Sequence, residues 1–237
     1  MEKVSIIIPT YNCQYVDQAI ESALGQTYPN VEVVVVNDNS TLYNEKISPY
    51  YNVIRYIEKG HTGTAGTLNM GYRAATGDYL TWLSADDLYL PEKTEKQLKF
   101  MLHHNADVCY SNYHLINEHG EITHQSVGSG FSSRLELCQR MLIGCTINGC
   151  TVMMKRNVFR HLGPFDEQLQ YTHDYDLWLR IIKHYNLLYF PEPYVMYRVH
   201  ENMTTKKEEK KIPAEIRQVI NRHKLSLKML IRKEMNS

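Results

Sequence analysis

Short β-branched runs that stop on polar residues, separated by stretches of helical period, constrain this chain more than any other feature. Val4-Ser5-Ile6-Ile7-Ile8 is ended by Pro9 and followed by Thr10-Tyr11-Asn12. Tyr15 to Leu24 then spaces Val16, Ala19, Ile20, Ala23 and Leu24 as one face of a helix. The clearest strand, Val31 to Val36, stops in Asn37-Asp38-Asn39-Ser40. A strand is expected over Asn52 to Ile57, then the loop Gly60-His61-Thr62-Gly63-Thr64 and a helix from about Ala65 to Ala75. The next strand runs from Gly77 into Asp86-Asp87. This alternation with short connections predicts an α/β fold, a Rossmann-like and mostly parallel central sheet with helices on both faces. The polar strand ends then gather along one carboxyl edge, where open α/β sheets bind ligands.

Asp86-Asp87 is the most chemically pointed of these ends. Two neighbouring carboxylates repel each other unless a cation lies beside them, and Mg²⁺-type ions are often held by one or two carboxylates plus substrate phosphates. Taken alone, the pair reads equally as a solvated turn in which an Asp caps the following helix.

After Asp87 the pattern becomes mixed. Glu92 to His103 reads as a helix, Asp107 to Ser111 as a strand, and Gly120 as the turn of a hairpin between Tyr113–Ile116 and Glu121–Thr123. Ser126 to Ser133 reads as a mobile loop, Cys150 to Met154 as a strand and Asp176 to His184 as a helix. From Lys206 the composition shifts to ten Lys or Arg against four Glu, a net charge of +6. The expected organisation is one domain over residues 1–205, with a mostly parallel half (1–90) and a mixed half (91–205) suited to holding a second substrate. A basic amphipathic helical tail (206–237) follows. That tail packs on the domain or, alternatively, lies on an anionic membrane surface.

Composition excludes several classes. The 26 Lys plus Arg equal the 26 Asp plus Glu, so no basic balance points to nucleic acid. Five cysteines, an odd number without a Cys-x-x-Cys pair, argue against a disulfide framework and a zinc site. The first residues lack the order of a signal peptide, and no run approaches the roughly 20 apolar residues that span a bilayer. The expectation is a cytoplasmic chain, at most peripheral on the inner face of the membrane.

Val4 to Asn12 resembles the opening of glycosyltransferase family 2, inverting enzymes with the GT-A nucleotide-diphospho-sugar fold. The resemblance continues through Val35–Ser40, Leu68-Asn69-Met70-Gly71 and Leu83–Asp87. It then includes Gly163–Glu167, His173–Arg180 and Tyr197-Arg198-Val199-His200, in the family's order. It implies a metal-dependent hexosyl- or N-acetylhexosaminyl-transferase using Mn²⁺ or Mg²⁺ and a UDP-sugar. The implied acceptor is a saccharide or lipid-linked saccharide, in cell-surface polysaccharide synthesis. Pro9, Thr10, Tyr11, Asp38, Asn69 and Asp86 would bind the nucleotide. Tyr11 can offer a flat face and Asp38 an acceptor for a ring N–H. Asp87 and His200 would hold the metal, with Asp86 near the ribose, and Arg198 could counter phosphate charge. Asp174, preceded by His173, would be the base that takes the acceptor's proton, with Asp176 as fallback. Gly149, Cys150, His173 and Trp178 would border the acceptor or donor sugar, although Trp178 also fits a core position. A homodimer and membrane contact through the tail remain open as partners.

The sequence departs from the family pattern at Ser84, Asn37 and Leu68, where an acid, an acid and an Arg are common. A nucleotidyltransferase or nicotinamide dehydrogenase would need a glycine-rich phosphate loop after the first strand, and Pro9-Thr10-Tyr11-Asn12 is not one. A non-catalytic sugar-nucleotide-binding or partner-docking protein is the remaining alternative.

Overall fold

A computed structural model describes residues 1–236, so the last residue of the expected tail, Ser237, lies outside the described residues. The organising strand is β1 (Val4–Thr10), in which Val4, Ile6, Ile7 and Ile8 are all fully buried. Removing each such side chain from water contributes about 1.5–3 kcal/mol, and a strand buried on both faces is what a continuous apolar run encodes. It pairs in parallel with β2 (Val31–Asn37) on one side and β4 (Tyr79–Trp82) on the other. β3 (Arg55–Glu58) extends the parallel set beyond β2. Between β1 and β2 runs α1 (Val16–Leu24), which buries Val16, Ala19, Ile20 and Ala23. Between β3 and β4 runs α2 (Gly63–Ala74).

The second half completes a mixed nine-stranded sheet. β5 (Leu88–Tyr89) is followed by α3 (Lys93–His103), β6 (Val108–Ile116) and β7 (Ile122–Val127). α4 (Arg134–Arg140), β8 (Met153–Lys155), α5 (Arg156–Leu162), α6 (His173–His184) and β9 (Leu187–Arg198) come next. α7 (Thr204–Lys207) and α8 (Ile212–Met235) end the described chain. Strand order is β3-β2-β1-β4-β8-β6-β9-β5, with β7 paired to β6. β8 is antiparallel to both β4 and β6, whereas β9 is parallel to β6.

Several expected boundaries move. The strand expected from Asn52 is replaced at its start by a turn, and only Arg55–Glu58 pairs. The 126–133 loop yields its first two residues to β7, whose hairpin turns at Gly120 with φ +85°. Residues 149–151 form a 3₁₀ turn, so pairing begins at Met153. α6 begins at His173, which puts Asp174 in its first turn. The long β9 has no counterpart in the sequence reading. Pro191 and Pro193 interrupt its pattern, and they fall where the register against Ser111 and Asn112 slips. Among the described residues no helix is long and apolar enough to cross a membrane.

Among the described residues, the segment 206–236 is built into the molecule. α8 buries Val219, His223 and Leu227, and packs on α4 and α6. His223 Nε2 lies 2.8 Å from Asp176 Oδ1, and Arg222 bridges Asp166 (2.7 Å) and Asp176 (3.1 Å).

Candidate functional site

A cavity of about 430 Å³ opens at the carboxyl edge of β1, β2 and β4, within the usual range for small-ligand sites. Pro9, Thr10, Tyr11, Asp38, Asp86, Gly149, Cys150, His173 and Asp174 all line it, so nine of the expected residues meet there. Asn69, Asp87, Asp176, Trp178 and His200 are not among its lining residues. The reasons are local and differ for each.

Asp86 and Asp87 face opposite ways. Asp87 is 0% exposed: its Oδ1 accepts the Arg198 backbone N–H at 2.8 Å, and its Oδ2 accepts the Cys150 thiol at 3.3 Å. Burial, and then the neighbouring Asp86 charge, push its pKa well above the carboxylate range. A buried acid occupied in this way does not fit the expected metal ligand. Asp86 does reach the cavity, and its Oδ2 stands 3.1 Å from His200 Nε2. An imidazole lone pair and a carboxylate oxygen at that distance need a proton or a cation between them. Neighbouring ligands of an octahedral ion with bonds of about 2.1 Å are themselves about 3 Å apart. The Asp86–His200 spacing is that of a hydrogen bond and also that of two neighbouring ligands of a divalent ion, whose remaining ligands would have to come from phosphate oxygens and water. Among the described residues no cluster of three or more His, Cys, Asp or Glu is arranged to hold a metal alone.

Arg198 is 1% exposed and is not free to meet phosphate. Its guanidinium donates to the carbonyls of Asp86, Asn117 and Glu118 and to Gln18 Oε1, and lies over the Tyr15 ring at 4.2 Å. It shapes the turn that carries both acids.

Tyr11 is 52% exposed and leans on His61, with ring centroids 4.5 Å apart. Asp38 is buried, and its carboxylate is held by one loop. Oδ1 accepts Lys59 Nζ (2.7 Å) and the Thr62 N–H (2.9 Å); Oδ2 accepts the Gly63 N–H (2.9 Å) and faces His61 Nδ1 (2.9 Å). Burial works against the charge, but the Lys59 bond and the two backbone donors outweigh it and hold the pKa below the ordinary value. Three donors hold the carboxylate, and the His61 ring, whose Nδ1 also stands 3.3 Å from the Asp38 carbonyl oxygen, covers what remains of it. Asp38 is thus an acceptor for an incoming ring N–H only once His61 withdraws.

Asn69 is fully buried and serves structure. Its amide donates to Phe165 O and Glu167 Oε1 while its carbonyl accepts the Phe165 N–H, clamping the segment that leads to α6. Trp178 is 0% exposed and stacks on Trp82 at 5.9 Å, a core residue outside the cavity lining. Gly149 is needed by the same tryptophan, since a Cβ there would stand 1.9 Å from Trp82 Cζ2. Cys150 lies against Ser84 Oγ at 3.2 Å, and burial together with the Asp87 charge raises its pKa well above the thiol range. Cys150 thus packs beneath the cavity as a protonated thiol.

Asp174 is half-buried in the cavity wall, and its Oδ1 accepts the Tyr175 N–H at 2.7 Å. Burial raises its pKa from 3.8 to about 6, which suits a base that must ionise near neutral pH and still hold a proton. His173 beside it is buried and driven down to about 4 by desolvation, so it is a neutral ring at neutral pH. Asp176 has the opposite setting. Burial is overcome by bonds from His223 and Arg180, its pKa falls well below the carboxylate range, and both oxygens are occupied. Asp176 docks α8 and is removed as a fallback base.

Sequence reasoning missed His61, Cys13, Tyr171, Met203 and Ile212 as lining residues. His61 had a local signal, a ring in a glycine-bearing loop after a strand. Met203 and Ile212 had none, because only the return of the C-terminal segment brings them to the edge.

Residues 5–163 match the family described as Glycosyl transferase family 2. A Rickettsia typhi protein described as an uncharacterized glycosyltransferase is 38% identical over 208 residues, covering 85% of this chain and 65% of that protein. In a Rickettsia bellii relative, 35% identical, the chain covers 31% of the length, so it spans under two thirds of both. The Escherichia coli protein WfgD, named UDP-Glc:alpha-D-GlcNAc-diphosphoundecaprenol beta-1,3-glucosyltransferase, is 31% identical over 78% of this chain and 71% of its own. The Staphylococcus aureus TarS 1–349 structure in complex with UDP-GlcNAc has the same fold. Its TM-score is 0.69 at 21% identity, over 85% of this chain and 60% of that one.

Proposed function

The chain belongs to glycosyl transferase family 2, and from that premise we propose that it transfers a sugar from a UDP-linked donor to a saccharide hydroxyl with inversion. The observation that carries the proposal is the joining, in one cavity, of an exposed ring at Tyr11, Asp86 and the raised-pKa carboxyl of Asp174, with His200 standing behind Asp86 at 3.1 Å. The base stacks on Tyr11 and reaches Asp38 as His61 moves aside. Asp86 and His200 would hold a Mn²⁺ or Mg²⁺, which when bound offsets the negative charge that grows on a departing diphosphate. Asp174 uses Oδ2 to take the proton of the acceptor hydroxyl, because Oδ1 is committed to the Tyr175 N–H. The hydroxyl oxygen attacks the anomeric carbon from the face opposite the diphosphate, and neutral His173 lines the same wall without competing for the proton.

By likeness to WfgD, the acceptor is a saccharide carried on a lipid diphosphate, as in surface-polysaccharide assembly. The outer face of α8 supports access to such an acceptor. Leu225 and Met229 are exposed there, alongside Lys224, Lys228 and Arg232, a pattern suited to the surface of an anionic membrane.

The test is UDP release from a panel of UDP-sugars, with Mn²⁺ or EDTA and with saccharide-diphospholipid acceptors. Metal-dependent release is expected, falling about a hundredfold or more in Asp86→Ala, while Asp87→Asn acts first on stability. UDP binding without release from any donor would favour a non-catalytic sugar-nucleotide binder.

A further inference from the structure

The base sits in the first turn of α6, yet what holds that turn comes from the far end of the chain. Glu215, in the first turn of α8, places one carboxylate under the segment that enters α6. Its Oε2 accepts the Gln170 N–H at 3.0 Å. Its Oε1 accepts the Tyr171 and Thr172 N–H groups at 2.7 Å each and the Thr172 hydroxyl at 2.8 Å. Four donors converge on one carboxylate, three of them on Oε1. Thr172 is the N-cap of α6 but makes no side-chain cap bond of its own, so Glu215 takes up the hydroxyl that would otherwise serve there. Its charge also lies at the positive end of the α6 dipole.

The clamp is itself seated. Val219 and Leu227 are buried beneath α8, and Arg222 and His223 tie the helix to Asp166 and Asp176. The residues it holds, Gln170 to Thr172, lead directly into His173 and Asp174, and Gln170 and Tyr171 line the cavity as well. All of α8 lies beyond residues 5–163, the part that matches the family.

We propose that Glu215 is a positioning residue for Asp174: by fixing residues 170–172 it sets where the Asp174 carboxylate stands in the cavity. The inference rests on the assignment of Asp174 as base in the proposed transfer. The groups that face Asp174 are its neighbour His173, the Cys145 thiol and Glu215, and the Glu215 charge acts in the same direction as burial on the Asp174 carboxyl.

Glu215→Gln removes the charge and, with Oε1 kept as an acceptor, turns an amide N–H toward the Gln170 N–H. Glu215→Asp keeps the charge on a side chain one methylene shorter. Leu227→Ala weakens the seating of α8 without touching the clamp. For each variant three quantities are read: the Asp174 carboxyl titration by carbon-13 NMR, the UDP Kd by calorimetry, and kcat for UDP release. Misplacement of about 1 Å at a reacting group costs on the order of a hundredfold. Glu215→Gln is therefore expected to lower kcat about ten- to a hundredfold, with the UDP Kd within about twofold of wild type and the Asp174 midpoint moved to lower pH. Glu215→Asp is expected to lower kcat while leaving the Asp174 midpoint near wild type. Leu227→Ala is expected to lower the melting temperature alone.

The proposal is overturned if the Glu215 variants behave like Leu227→Ala, or if kcat and UDP affinity fall together as in general loosening. Should Glu215→Gln fail to fold, a wild-type kcat in Glu215→Asp overturns it as well. If the wild-type protein releases no UDP from any donor, the transferase reading fails, and the Asp174 titration in the variants still decides the role of Glu215.

Discussion

Asp174→Asn is expected to abolish transfer and stabilise the protein at once. Burial holds the Asp174 pKa at about 6 against an ordinary 3.8. At 1.36 kcal/mol per pH unit, that gap corresponds to about 3 kcal/mol of free energy for keeping the carboxylate ionised in the folded state. Half-burial leaves part of the charge to solvent screening, so about 1–2 kcal/mol is the expected share. The sign follows from linkage. Below pH 3.8 the carboxyl is protonated folded and unfolded, and the group costs nothing. As pH rises the unfolded chain ionises first, and the cost is complete above about pH 6. Asparagine has no charge to bury and still offers Oδ1 to the Tyr175 N–H. The variant should therefore melt higher than wild type at pH 7.5, by about 2–4 °C per kcal/mol for a chain of this size, with the two curves converging near pH 4. Over the same range wild-type kcat should rise about tenfold between pH 5 and pH 7, as the ionised fraction of Asp174 climbs from about 9% to about 91%. Loss of a general base costs about 10²–10⁴ in rate. Scanning calorimetry at several pH values and UDP-release kinetics on the same preparations make the check. Unchanged transfer, or a lower melting temperature at pH 7.5 than at pH 4 relative to wild type, would refute the reasoning.

His61→Ala uncovers the Asp38 carboxylate, and should tighten UDP binding by about two- to tenfold in calorimetry if the ring must leave first; weaker binding would instead make His61 a contact to the base. Gly149→Ala forces a Cβ into Trp82 and should cost about 1–3 kcal/mol in urea unfolding, together with a measurable change in Trp fluorescence. A cost under about 0.5 kcal/mol would mean that the 149–151 turn yields freely.

Much of the first half of the chain was legible because its signals are local. The runs Val4–Ile8 and Val31–Val36 are apolar except for Ser5 and Glu32, so they are stable as strands covered on both faces, and the polar residues after them had to emerge at one edge. The long β9 escaped because Pro191 and Pro193 break its pattern, while its pairing is supplied by β6, many residues away. The short helices α4 and α5 escaped because each spans only seven residues, too few to display a period.

The sequence by itself determined that acids such as Asp38 and Asp86 would stand at the edge of a sheet, and it placed a helix close to Asp174, whose first turn proved to include that residue. It could not divide the labour between neighbours. Asp86 and Asp87 are adjacent and chemically alike, but one meets His200 from 114 positions away and the other the backbone of Arg198 from 111. The same holds for Asp174 and Asp176, separated by one residue and sent to different fates by burial on one side and by His223 on the other. Strand and helix formation follow from periodicity within a dozen residues. Whether a carboxylate is a ligand, a base or a strut depends on solvation and on partners, and those are fixed only when distant segments close around it.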